Sequence, residues 1–131
     1  MENEKRLVLI GGGHSHAIAL RLFGKNPLPN VGITLISEAA DTPYSGMLPG
    51  YVAGFYSHAE CHIDLQQLTQ FAKAEFMIDR AIGLDLENNL VICDKHSPIP
   101  FDLLSIDIGS TPATISVAGA AEYAIAVKLI L

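Results

Sequence analysis

The stretch Leu7-Val8-Leu9-Ile10-Gly11-Gly12-Gly13-His14-Ser15-His16-Ala17 decides the fold. Four strongly apolar residues without a polar interruption suit a strand buried on both faces, as in the middle of a parallel sheet. Three glycines end it. Ala17, Leu20 and Gly24, with Ile18 and Leu22 beside them, recur at helical spacing, which predicts a helix from about Ser15 to Phe23, stopped by Gly24, Pro27 and Pro29. Val31 to Ile36 is again apolar and β-branched. The order is therefore strand, glycine turn, helix, strand, the length of a βαβ unit whose right-handed crossover makes its two strands parallel neighbours.

Beyond that unit, Asp41 to Gly54 holds Pro43, Gly46, Pro49 and Gly50 among Tyr44, Met47, Leu48 and Tyr51, so no regular element is expected there. Asp64 is placed to cap a second helix, with Gln67 three positions on and an apolar stripe of Leu65, Leu68, Phe71 and Ala72. Phe76 to Ile78 reads as a short strand. Ile82, Leu84 and Leu86 alternate with Gly83, Asp85 and Glu87, and Asn88-Asn89 turns the chain back into Leu90 to Cys93. This hairpin has one wet face and is expected outside the parallel sheet, as a small antiparallel flap. Pro98 and Pro100 break the pattern before a strand from Leu103 to Ile108; Ala113 to Leu131 is alanine-rich without a clean period. The fold class is α/β: a Rossmann-like parallel sheet of about four strands with a βαβ start and an antiparallel flap.

The chain has 131 residues, which argues for one domain, and half of them are hydrophobic, enough for a buried core. A formal charge of −6 repels phosphate backbones and anionic lipid, so nucleic acid is not an expected partner. The two cysteines, Cys61 and Cys93, match neither a disulfide scaffold, nor paired zinc knuckles, nor a redox CxxC pair, and fit a reducing, cytoplasmic setting. No apolar run approaches the ~20 residues of a membrane span, and no signal peptide is expected.

Gly11-Gly12-Gly13-His14-Ser15-His16 stands where a dinucleotide fingerprint G-x-G-x-x-G belongs. Gly11 permits the tight turn, Gly13 lets a pyrophosphate approach the backbone, and the helix start offers N–H groups and a positive dipole end. His16 takes the place of the third glycine. The turn fits FAD and NAD(P) alike, and a glycine turn without a ligand is the alternative. Glu38, 25 positions past Gly13, is the candidate for the ribose hydroxyls, or else an exposed loop carboxylate. His14 and His16 flank the phosphate position; they are either anion-favouring imidazoles or one surface residue and one packing substitute for glycine. His58, Cys61 and His62 have the spacing of ligands on a helix face, but a fourth ligand is not evident and no metal is expected.

Together with Thr42-Pro-Tyr-Ser-Gly-Met-Leu-Pro-Gly50, Cys61-His-Ile-Asp-Leu65 and Phe101-Asp-Leu-Leu-Ser-Ile-Asp-Ile-Gly-Ser-Thr-Pro112, the opening stretch resembles the FAD-binding part of the pyridine nucleotide-disulfide oxidoreductase superfamily. Within it, the chain is most similar to the type II NADH dehydrogenase-like flavoproteins found fused in front of selenide, water dikinase. The resemblance covers residues 5 to about 128 and is most specific from Thr42 to Gly50.

It implies an FAD-binding domain fragment over residues 1–131, part of an NAD(P)H-dependent flavoprotein oxidoreductase. NAD(P)H would be the electron donor, bound by a C-terminal nicotinamide domain that this sequence does not contain, with a fused selenide, water dikinase as a further partner. A quinone, or a sulfur or selenium species, would be the acceptor. The segment from Ile106 to Gly109 and Ser110 would cross beside the cofactor, and Tyr44, Ser45, Gly46 and Met47 would face it, although the core is an equally good place for Met47 and Tyr51. Disulfide-reducing members carry a CxxxxC pair on or just after the first helix; here no cysteine precedes Cys61, so a dithiol relay is not expected. No side chain is assigned as catalytic. Two other classes stay open: a stand-alone NAD(P)-binding regulatory module, and a structural or interaction domain without a ligand.

Overall fold

The computed structural model describes residues 4–110, 113 and 116–126. The opening βαβ unit is present as β1 (Lys5–Ile10), α1 (His14–Lys25) and β2 (Val31–Ser37). Helix α1 runs past its expected stop because Gly24 stays helical, and a Cβ there would strike the Phe71 ring. Next come β3 (Asp41–Pro43), a 3₁₀ turn (Ser45–Met47), α2 (Leu48–Val52), a second 3₁₀ turn (Ala59–Cys61) and β4 (His62–Asp64). They are followed by α3 (Leu65–Phe71), β5 (Glu75–Ile78), β6 (Ala81–Asp85), β7 (Leu90–Cys93), β8 (Ile99–Pro100), β9 (Leu103–Ile106) and α4 (Ala120–Tyr123).

The chain divides into two units: residues up to Thr42 with Asp64–Ile108, and Pro43–Ile63 with residues from Gly109 on. In the first, four parallel strands lie in the order β5-β2-β1-β9. The register pairs Ile10 with Ile36 on one side and with Ile106 on the other. Alternation along the strands then assigns two faces. Leu7, Leu9, Ile33 and Leu35 pack with Leu20 of α1 and Leu65 of α3. Val8, Ile10 and Ile36 pack with Val91, Cys93 and Phe101. Helices thus cover one face of the sheet and the antiparallel flap β6-β7-β8 the other. Both faces being covered explains why β1 reads as an unbroken apolar run.

Asp64 caps α3 as its spacing predicts, its carboxylate accepting the Gln67 N–H at 3.0 Å. Three sequence expectations need correction. The Pro- and Gly-rich tract from Asp41 to Gly54 does form short regular elements, because Pro49 lies in the first turn of α2, where an N–H has no intrahelical partner to lose. Pro100 belongs to a short strand at the edge of the flap, where a missing donor is tolerated. On β6 the apolar residues Ile82 and Leu84 face outward while Val91 and Cys93 of β7 are buried; a register shift between Ala81 and Gly83 accompanies this. Thr111, Pro112, Thr114, Ile115 and residues 127–131 lie outside the described residues.

In the second unit, Ser57 and Glu60 cap one another: the Ser57 N–H donates to Glu60 Oε2 at 2.6 Å and the Glu60 N–H to Ser57 Oγ at 3.3 Å. The bonds from Ser57 hold the Glu60 carboxyl below its ordinary range. Among the described residues no helix is long and apolar enough to cross a membrane.

Candidate functional site

Strand order locates the site before any side chain is considered. From β1 the chain moves to β2 and β5 on one side of the sheet, and only then to β9 on the other. Between β1 and β9 the connections part in opposite directions, and in open α/β sheets ligands bind outside the carboxyl ends of the strands at such a point. The carboxyl end of β1 is Ile10, followed by the three glycines; that of β9 is Ile106, followed by Asp107.

The glycine turn is fixed from both sides. Gly11 donates its N–H to the Ile36 carbonyl at 2.7 Å, and Gly13 donates to the Asp107 carbonyl at 3.2 Å. In return Asp107 donates its N–H to the Ile10 carbonyl at 2.8 Å. Gly11 has φ +93°, which side-chain-bearing residues rarely adopt, and a Cβ there would collide with the Asp107 backbone. A Cβ on Gly12 would meet the Leu65 side chain, and one on Gly13 the Asp107 carboxylate. Each glycine therefore marks a place where other atoms approach the backbone.

Helix α1 starts here with Gly13 as its N-cap, which has no side chain to satisfy the first-turn donors. Asp107 supplies what is missing: its Oδ2 accepts the His16 N–H at 3.3 Å from 91 positions away. A negative group at the positive end of the helix dipole is electrostatically favourable.

His16, standing where the third glycine of the fingerprint belongs, is 3% exposed. Its Nδ1 lies 2.7 Å from the Gly11 carbonyl and its Nε2 2.8 Å from the Ser105 hydroxyl. A carbonyl only accepts, so Nδ1 carries the hydrogen; in the neutral ring Nε2 then accepts from Ser105. Close helix–strand packing, which a third glycine would permit, is replaced by a side chain that bonds the turn to β9. Of the alternatives open for His14 and His16, the buried, hydrogen-bonded substitute for glycine describes His16.

The residues named from the sequence fall into two groups. Gly11, Gly13, His14, Ser15 and His16 are brought together at the start of α1. Glu38 follows β2, and its exposed carboxylate lies 3.7 Å from Arg80 Nε. Tyr44, Ser45, Gly46 and Met47 form the first 3₁₀ turn and its N-cap in the second unit, where the Met47 N–H donates to the Tyr44 carbonyl at 3.0 Å. Gly109, with φ +69°, and Ser110 belong to that unit too. There the rings of His58 and His62 stack at 3.8 Å, and His62 Nδ1 donates to the His58 carbonyl at 2.6 Å. Among the described residues no group of three or more His, Cys, Asp or Glu side chains is arranged to hold a metal ion.

Ser105 is a site residue that sequence reading misses, and Asp107, although inside the segment expected beside the cofactor, is not singled out by it as a partner of the helix start. Both lie in the segment that carries the resemblance, but only the parallel pairing of β9 with β1 brings them to the glycines, and no local spacing signals it.

No protein-family model matches the chain. It is similar to the sulfide-quinone reductase of Aquifex aeolicus (strain VF5). Identity is 32% over 108 residues, covering 80% of this chain and 24% of that protein. The crystal structure of the sulfide:quinone oxidoreductase from Aquifex aeolicus superposes with TM-score 0.73 at 26% identity, over 90% of this chain and 27% of that one. The fold is also that of NDH2 from Plasmodium falciparum in complex with NADH, with TM-score 0.75 and 17% identity over 92% of this chain and 25% of that one. A third likeness in fold is the NAD-dependent persulfide reductase from A. fulgidus, with TM-score 0.69 and 19% identity over 90% of this chain and 24% of that one. The chain thus spans about a quarter of the length of these proteins.

Proposed function

We infer that this chain is the FAD-binding part of an NAD(P)H-dependent flavoprotein oxidoreductase of the pyridine nucleotide-disulfide oxidoreductase superfamily. One observation carries the reading: at the point where β1 and β9 diverge, a strand runs into a turn whose three glycines leave no room for a Cβ and opens onto the N-terminus of a 12-residue helix. That is the backbone shape a pyrophosphate needs. The likeness to sulfide-quinone reductase supports the same reading at the level of sequence.

Gly11, Gly13 and the first-turn N–H groups of His14, Ser15 and His16 would hold the pyrophosphate, and Glu38 the ribose, after leaving Arg80. Tyr44, Ser45, Gly46, Met47, Gly109 and Ser110 are included as cofactor contacts on the strength of the family resemblance. When bound, FAD would supply the redox chemistry. NAD(P)H as donor, a separate nicotinamide domain, a fused selenide, water dikinase, and a sulfur or selenium species as acceptor belong to the same proposal. They rest on the resemblance; a sulfur acceptor agrees with the name of the persulfide reductase, and a quinone, the other acceptor the resemblance implies, with that of sulfide-quinone reductase.

The test is a titration of the purified chain with FAD and, separately, with NAD and NADP, followed by flavin fluorescence and thermal unfolding. FAD is expected to bind and to raise the unfolding midpoint more than either nicotinamide nucleotide. Stabilisation by NAD alone would favour a nicotinamide-binding module, and stabilisation by none of them a domain without a dinucleotide.

A further inference from the structure

The carboxylate of Asp107 stands where a Cβ on Gly13 would go, and its Oδ2 accepts the N–H of His16, one of the first-turn donors of α1. The geometry points to Asp107 as the residue that sets the affinity of the glycine turn for its anion: a built-in carboxylate that takes the position of the phosphate and yields it when a dinucleotide binds. This rests on the reading of the turn as a pyrophosphate site.

Two consequences follow from the chemistry. Without a ligand, Asp107 satisfies a donor that the N-cap Gly13 cannot, so the helix start keeps its cap. With a ligand, two negative groups compete for one helix end. The carboxylate has to turn aside, and its negative charge stays close to the helix end. Its backbone cannot withdraw, because Asp107 is bonded through both its N–H and its carbonyl to Ile10 and Gly13. Relief therefore comes from side-chain rotation alone, and repulsion persists.

Asp107→Asn keeps an oxygen that can accept the His16 N–H and removes the charge. Asp107→Ala removes both and serves as the second variant. Affinities for FAD, and for riboflavin as a probe without phosphate, would be measured by calorimetry on the 131-residue chain, beside Gly13→Val. Both Asp107 variants are expected to bind FAD about fivefold tighter or more, the factor that removing one like-charge interaction at ~4 Å is worth with full solvent screening. Riboflavin affinity is expected to stay unchanged. The unfolding midpoint without ligand is expected to fall more for the alanine variant, because only it loses the acceptor. Asp107→Asn binding FAD no tighter than the parent, while Gly13→Val abolishes binding, would overturn the role of Asp107 and leave the pyrophosphate reading standing. Gly13→Val binding FAD like the parent, or the parent itself not binding FAD, would remove both.

Discussion

Nε2 of His16 stands 2.8 Å from the hydroxyl of Ser105, 89 positions away, while the other ring nitrogen holds the Gly11 carbonyl at 2.7 Å. One imidazole thereby ties the glycine turn, the first helix and the fourth strand of the sheet together. His16→Ala would take their partner from a partly buried carbonyl and a partly buried hydroxyl and open a cavity. A loss of about 2–4 kcal/mol in unfolding free energy is expected from urea denaturation. A loss below about 0.5 kcal/mol would mean that His16 only fills space.

Gly11→Ala tests the turn itself. At φ +93° a Cβ is strained and also meets the Asp107 backbone, which cannot move without breaking its bonds to Ile10 and Gly13. A destabilisation of about 1–3 kcal/mol is expected in the same assay, before any ligand is added. Unchanged stability would show that the turn relaxes.

Asp79 makes the flap pH-dependent. Its buried carboxylate accepts the N–H groups of Arg80, Lys95 and His96 and stands 2.6 Å from His96 Nδ1, joining the start of β6 to the loop after β7. Burial alone raises its pKa, but the bonds from the His96 ring and the three backbone donors outweigh that and lower it from 3.8 to about 2. The folded pKa lies below the unfolded one, so the stabilisation is full above pH 3.8 and is lost as pH falls through about 2. Asp79→Asn is expected to be less stable than the parent at pH 6, with the gap in urea midpoints closing between about pH 4 and pH 2. A gap that does not change with pH would contradict this.

How far the sequence carries depends on the range of the interactions. The βαβ unit is legible in residues 7–36 because a buried parallel strand and an amphipathic helix write different periods into adjacent segments. Asp64 is legible as a cap because its partner Gln67 is three positions away. Helix α2 is hidden by the very prolines and glycines that bound and start it. The outward face of β6 is hidden because alternation reveals that two faces exist, not which one the sheet covers. Asp107 and Ser105 are hidden because their roles depend on strand pairing across some 90 residues, which no window of sequence contains.

Hydride transfer requires donor and acceptor held about 3–3.5 Å apart. One glycine turn of dinucleotide type is present, Gly11 to His16, and one turn cannot hold two dinucleotides. The 131-residue chain loaded with FAD is therefore expected to consume neither NADH nor NADPH. In stopped-flow mixing, loss of flavin absorbance within milliseconds to seconds would reveal a nicotinamide site among these residues.

Backbone amide NMR of the labelled 14.0 kDa chain during FAD titration reports on the turn residue by residue. The largest shifts are expected at Gly11, Gly13, His14, Ser15, His16 and Asp107, saturating together with the flavin fluorescence change. Saturable FAD binding that leaves the amides of Gly11 to His16 unmoved would place the cofactor elsewhere and contradict the assignment of this turn as the pyrophosphate site.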